Sequence, residues 1–209
     1  MVTIADSKEV FGRYPSIIKN NKFLKNGLVK IKNELYVPAY CASQLGFNYP
    51  GKFFLKKEFY PELRKRKILP LCPFDACEEF LKFHDESENI SMFEYEKMCD
   101  ENCKTIGIVN YKTLIPHSKM LIAILDGSHA VDDGVAAEIG DYSHYYPMIG
   151  IRSDFRLAEH IRAPINMAVM DFFNREEFPD NKLYSGMNAY DEAYDGIEKL
   201  AKKIIKETE

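Results

Sequence analysis

A chain of 209 residues, 46% of them hydrophobic, can bury a sizeable core as one domain or as one domain with an appendage. Its formal net charge of −4, with both signs mixed along the chain, leaves no basic stripe to follow a phosphate backbone and argues against nucleic acid as the main partner. No apolar run approaches the roughly 18 to 20 residues of a bilayer-spanning helix, and MVTIADSKEVF lacks the basic start and apolar centre of a signal peptide, so the expectation is a cytoplasmic protein with no membrane partner.

Residues 1 to 30, rich in Lys and Asn, read as an N-terminal extension whose structure the sequence leaves open; residues 31 to 209 read as the main domain. ELYVPAY, residues 34 to 40, predicts a short strand, and FFLKKEFYPELRKRK, residues 53 to 67, has helical spacing despite Pro61. Its basic residues read as a solvated helix face. ILPL, residues 68 to 71, predicts a second strand, followed by helical or mixed pattern over 74 to 83 and 91 to 117. MLIAIL, residues 120 to 125, is a continuous aliphatic run of the kind buried on both faces of a sheet. DDGVAAEIGDYSHY then predicts a helix, PMIGIR (147 to 152) another buried strand, and NAYDEAYDGIEKLAKKIIKE (188 to 207) a closing amphipathic helix. Strands alternating with helices in this rhythm imply an α/β fold, a parallel sheet with helices on both faces.

The five cysteines are odd in number, and the spacings Cys72 to Cys77 and Cys99 to Cys103 lack the C-x-x-C pairs of zinc ribbons. His84, His117, His129, His144 and His160 form no H-E-x-x-H pair. Reduced, mostly buried thiols and no metal or cofactor are therefore expected.

Chemistry concentrates in LIAILDGSHAVDDGVAAEIGDY, residues 121 to 142. In open α/β sheets ligands bind beyond the carboxyl ends of the strands, and MLIAILDG delivers the chain to that edge at Asp126 and Gly127. Asp132 or Asp133 is a natural N-cap for the following helix. Glu138 falls in its second turn among small and apolar neighbours, with Gly134 four residues earlier leaving space over its carboxylate. A carboxylate placed so suits nucleophilic or general-base work, although a buried glutamate can equally pair with an arginine or tyrosine.

The pattern Asp132-x-Gly134-x-x-x-Glu138-x-Gly140 after LIAILDG, followed by GIRSDFR (150 to 156) and INM (165 to 167), resembles the nucleoside 2-deoxyribosyltransferase family over roughly residues 34 to 173. The resemblance implies a flavodoxin-like sheet and exchange of the nucleobase of a 2'-deoxyribonucleoside with retention, through a deoxyribosyl ester on Glu138. It implies that Asp132 handles the proton of the departing or incoming base. Tyr36 corresponds to a tyrosine that orients the nucleophile, Asp75 in Pro73-Phe74-Asp75 to a base-binding loop, and Asn166 to an asparagine that crosses a subunit interface to the sugar 5'-hydroxyl. Nucleosides and free nucleobases would be the partners, in a homo-oligomer of two or more chains. The chain departs from the family in three places. The family's compact C-terminus, which can bring a terminal tyrosine into the site, is replaced by a long helix, and Tyr184, Tyr190 or Tyr194 could substitute or simply pack. Where the family has an aspartate before the central strand, only Asn110 is near, one residue out of register. The loop after the first strand, AYCASQLGFNYPGKF, does not follow the family either. The same nucleophile could instead serve an N-glycosidase acting on nucleosides or their 5'-monophosphates, with Arg152 or Arg156 on a phosphate; a non-catalytic nucleoside-binding module is the remote alternative.

Overall fold

The computed structural model describes residues 14–82, 90–127, 130–143, 147–154 and 165–208. His84, His129, His144, His160 and Arg156 lie outside them. Helix α1 (Ser16–Lys19) and strands β1 (Lys22–Phe23) and β2 (Val29–Ile31) come first, in the stretch whose structure the sequence leaves open. Lys32 and Asn33 then take φ of 48° and 66° and turn the chain into β3 (Glu34–Ser43), antiparallel to β2. Two consecutive left-handed residues make a tight hairpin turn whose twist matches the flanking strands.

The remaining strands are β4 (Ile68–Leu71), β5 (Met120–Ile124), β6 (Met148–Arg152) and β7 (Lys182–Ser185). All pair in parallel, in the spatial order β4-β3-β5-β6-β7. Counted among themselves from β3 this is 2-1-3-4-5, the flavodoxin-like order, so the expected α/β fold is present. The hairpin of β1 and β2 adds to the first residues of β3.

Strand pleating divides the core in two. Tyr40, Ala42, Leu121 and Ala123 face one layer of helices, while Val37, Ala39, Cys41, Ile122 and Ile124 face the other. The first layer contains α4 (Pro73–Glu78), α7 (Asp133–Tyr142) and α8 (Met167–Asn174), which contribute Cys77, Ile139 and Phe173. The second contains α2 (Tyr49–Phe54), α3 (Tyr60–Lys65) and α9 (Ala189–Thr208), with Leu63, Ile197 and Leu200 pointing inward. All five residues of β5 are buried, and each of its larger side chains contributes roughly 1.5 to 3 kcal/mol by leaving water.

Two helices are interrupted by π-helical turns, each just before a proline. Leu55–Phe59 joins α2 to α3, with Pro61 in the first turn of α3. Ile108–Leu114 joins α5 (Met92–Gly107) to α6 (Ile115–His117), with Pro116 in the first turn of α6. A proline ring clashes with the carbonyl four residues earlier and supplies no N–H, and the wider π turn relieves both problems. That is why helical spacing persists across Pro61.

Candidate active site

Beyond the carboxyl ends of β3 and β5 the chain leaves in opposite directions, which opens a crevice at the switch point of the sheet. The loops stay close there. The Gln44 side-chain amide donates to the Asp126 carbonyl at 2.9 Å, and a Cβ on Gly127, whose φ is +111°, would lie 2.9 Å from the Leu45 side chain. Only glycine meets both demands.

Helix α7 begins beside this crevice. Asp132 is its N-cap, with Oδ1 accepting from the Gly134 and Val135 amides at 3.0 and 3.2 Å. Asp132 is half-buried, and among the described residues no hydrogen bond reaches its other oxygen. Two turns on, Glu138 is 8% exposed. The Tyr40 hydroxyl donates to Glu138 Oε1 at 2.5 Å, and the Asn110 amide nitrogen donates to the same oxygen at 3.1 Å. Among the described residues no hydrogen bond reaches Oε2. One oxygen is clamped by two donors and the other is not.

Burial pushes the Glu138 carboxyl up to about 7; the Tyr40 bond opposes this, the negative charge of Asp132 adds to it, and the Asn110 bond opposes it again. Burial first, and the Glu138 charge second, hold the Tyr40 phenol well above its ordinary range, so it stays a donor. Behind Asn110, the Cys77 thiol donates to the amide oxygen at 3.7 Å, and burial pushes that thiol up to about 12. Tyr111, next along the π turn and 37% exposed, is raised by burial and then by Glu138.

The geometry brings together Glu138 and Asp132 but not all the residues singled out with them. Tyr36 does not orient Glu138: its hydroxyl donates to Glu34 at 3.5 Å and its ring lies under the Lys67 ammonium. The strand runs on to Ser43, so Tyr36 sits at its start, and Tyr40 is the same-face residue four positions nearer the ligand edge, roughly 13 Å along at strand rise. Gly134 does have open space: outside the backbone of its own helix a Cβ there would meet only Asp132 Oδ1, at 3.0 Å. A side chain at 134 would press on the capping carboxylate rather than on Glu138. Asp75 is ion-paired with Lys56 at 2.8 Å in the first turn of α4. Asn166 is exposed and caps α8, its side-chain oxygen accepting from the Ala168 amide at 2.9 Å.

Other candidates are structural in their contacts. The Asp126 carboxylate accepts from the Ser153 and Asp154 amides, the Ser153 hydroxyl and the Tyr190 hydroxyl, which ties β5, β6 and α9 together. Arg152 is 1% exposed, and its guanidinium donates to the Leu125 carbonyl, so it is not on the surface to meet a phosphate. Tyr194 stacks with Arg66 and Tyr184 packs against Gly196. Among the described residues no group of three His, Cys, Asp or Glu side chains is placed to hold a metal ion.

The sequence reading missed Tyr40, Asn110 and Cys77 as a set. Tyr40 was visible as the last residue of the predicted strand 34 to 40, on the same face as Tyr36 and nearer the ligand edge. Asn110 lies in the π turn just before Pro116 and is turned inward there, which sequence spacing alone does not reveal.

No protein-family model matches the chain, and no curated protein matches it. Several solved structures are similar, among them the following two. A conserved protein from Enterococcus faecalis V583 is 18% identical, with a TM-score of 0.48, over 79% of this chain and 99% of that one. A 2-desoxiribosyltransferase from Leishmania mexicana is 14% identical, with a TM-score of 0.40, over 76% of this chain and 97% of that one. At such identities the chemistry has to be read from the geometry around Glu138.

Proposed function

We propose that the chain is a nucleoside 2-deoxyribosyltransferase in which Glu138 is the nucleophile. The observation that carries the reading is the clamped carboxylate: Oε1 accepts from Tyr40 and Asn110, Oε2 is unbonded among the described residues, and Asp132 stands at the start of the same helix. Oε2 attacks the anomeric carbon of a 2'-deoxyribonucleoside, the carbon–nitrogen bond breaks, and its electron pair leaves with the base. In the reacting form the pair shares one proton, carried by Asp132 while Glu138 is ionised, and Asp132, through the oxygen not used in capping, delivers that proton to the base. A second base then attacks the same carbon, the ester bond breaks, Glu138 recovers its electron pair, and Asp132 takes the incoming base's proton. Two inversions give retention.

The donors on Oε1 suit both halves of the cycle. They stabilise the carboxylate before attack and again as it leaves, and neither adds a charge to a buried site. Gly134 keeps the capping carboxylate unobstructed, and Asp75, in the helix that follows β4, would meet the base once its ion pair with Lys56 opens. Asn166, exposed in the single chain, would reach the sugar 5'-hydroxyl in a neighbouring subunit's site, which makes the working enzyme a homo-oligomer. Water as acceptor would turn the same intermediate into an N-glycosidase product. The burial of Arg152 removes one of the two arginines that a 5'-monophosphate would use.

The test is product analysis. Incubated with deoxyadenosine and cytosine, or with deoxyinosine and adenine, the protein should form new deoxynucleosides. Free deoxyribose alone would make it a hydrolase with the same nucleophile, and no turnover of any deoxynucleoside tested would sink the reading.

A further inference from the structure

An amide can present either of its ends, and at Asn110 the choice matters. Toward an ionised Glu138 only the nitrogen fits, since the oxygen would set two acceptors face to face. Once Glu138 takes up a proton, the flipped amide becomes acceptable too, because the carboxylic acid can donate to it. Something behind the amide must therefore fix its direction across the range in which Glu138 titrates. The buried Cys77 thiol, 3.7 Å from Asn110 Oδ1, remains a protonated donor throughout that range.

We infer that Asn110, and through it Cys77, are positioning residues for Glu138: the thiol sets the direction of the amide, and the amide holds Oε1 with a neutral donor while Oε2 stays toward the substrate. The inference rests on Glu138 being the nucleophile. It also gives a reason for an amide where the family resemblance points to an aspartate. A carboxylate at position 110 would stand about 3 Å from Glu138 Oε1, with Asp132 already near, and would drive Glu138 to keep its proton. The groups facing Glu138 are Tyr40 from β3, Cys77 from α4, Asn110 and Tyr111 from the π turn, and Asp132 from the start of its own helix. The phenols and the thiol are raised and stay neutral, which leaves Asp132 as the acidic neighbour.

The experiment is a carboxyl titration followed by nuclear magnetic resonance on protein labelled at glutamate with carbon-13, with Glu138→Gln used to assign the signal. Asn110→Asp should move the Glu138 midpoint up by at least about one unit, as a like charge at contact does. Asn110→Ala should move it up by about one unit through loss of a donor to the charged form. Cys77→Ala should give a smaller rise, and Cys77→Ser, which keeps a hydroxyl donor and reports that the pocket still folds, should return the midpoint to its wild-type position. The acid limb of turnover should follow the same order, in kcat rather than KM. An unmoved midpoint in Asn110→Ala, or Cys77→Ser behaving as Cys77→Ala does, overturns the inference. If the midpoints move as stated but no deoxynucleoside is turned over, the clamp stands and the reading of Glu138 as nucleophile falls.

Discussion

Glu138 places a titratable group where it costs stability, and the cost has a defined pH window. Its carboxyl lies at about 7 in the folded chain against an ordinary 4.5, so between those values the folded state binds the proton that the unfolded state has released. Stability therefore falls as pH rises from 4.5 to 7; the penalty is absent below the window and complete above it. The difference of about 2.5 units corresponds to roughly 3 kcal/mol, so Glu138→Gln should be more stable than wild type at pH 8 by that order and equal to it near pH 4, as read by urea unfolding. A variant less stable at pH 8 would contradict the burial argument. Tyr40 provides a second comparison at this scale. Tyr40→Phe removes a donor to a charged oxygen and should lower turnover about ten- to a hundredfold, whereas Tyr36→Phe, at the far end of the same strand, should leave the rate unchanged.

On the proposed reading the start of helix α7 combines a structural and a chemical duty in one side chain. Asp132 caps two amides and is also the acid nearest Glu138, and substitution can separate the roles. Asp132→Asn keeps an oxygen acceptor for the cap, so melting should be preserved while base exchange collapses; Asp132→Ala should lose both activity and about 1 kcal/mol of stability. Equal activity in wild type and Asp132→Asn, measured by base exchange, would remove Asp132 from the proton-transfer step. At this scale the sequence was informative where a pattern ran long. MLIAIL is a continuous apolar run and PMIGIR is apolar up to its final arginine, and both form buried strands of the sheet. It was silent where elements were short. Strand β2 has three residues and turns through Lys32 and Asn33 rather than an Asn-Gly pair, and β7 is a four-residue strand with mostly exposed or half-buried positions. Site residues followed the same division. Asp132 and Glu138 share one helix and one motif, while Tyr40, Asn110 and Cys77 come from three separate elements and meet only when the sheet is assembled.

At the scale of the whole molecule, the 2-1-3-4-5 order puts a crevice between the ends of β3 and β5, and the connection after β5 leads into the helix that carries Glu138 there. Among the described residues no helix is long and apolar enough to cross a membrane. On the proposed reading the exposed Asn166 completes a neighbouring subunit's site, so Glu138→Ala and Asn166→Ala proteins, each inactive or weak alone, should regain activity when their subunits are exchanged, because some hybrid sites join an intact Glu138 to an intact Asn166. Hybrids proven by native mass spectrometry that stay as inactive as their parents would remove the shared site. The proposed covalent step is open to direct measurement. Rapid acid quench during turnover of a deoxynucleoside, followed by proteolysis and peptide mass spectrometry, should find one deoxyribosyl group esterified to the peptide bearing Glu138, absent from the Glu138→Ala protein and lost when a free base is added before the quench. Steady turnover with an unmodified Glu138 peptide, or with the sugar on another residue, would contradict the assignment of the nucleophile.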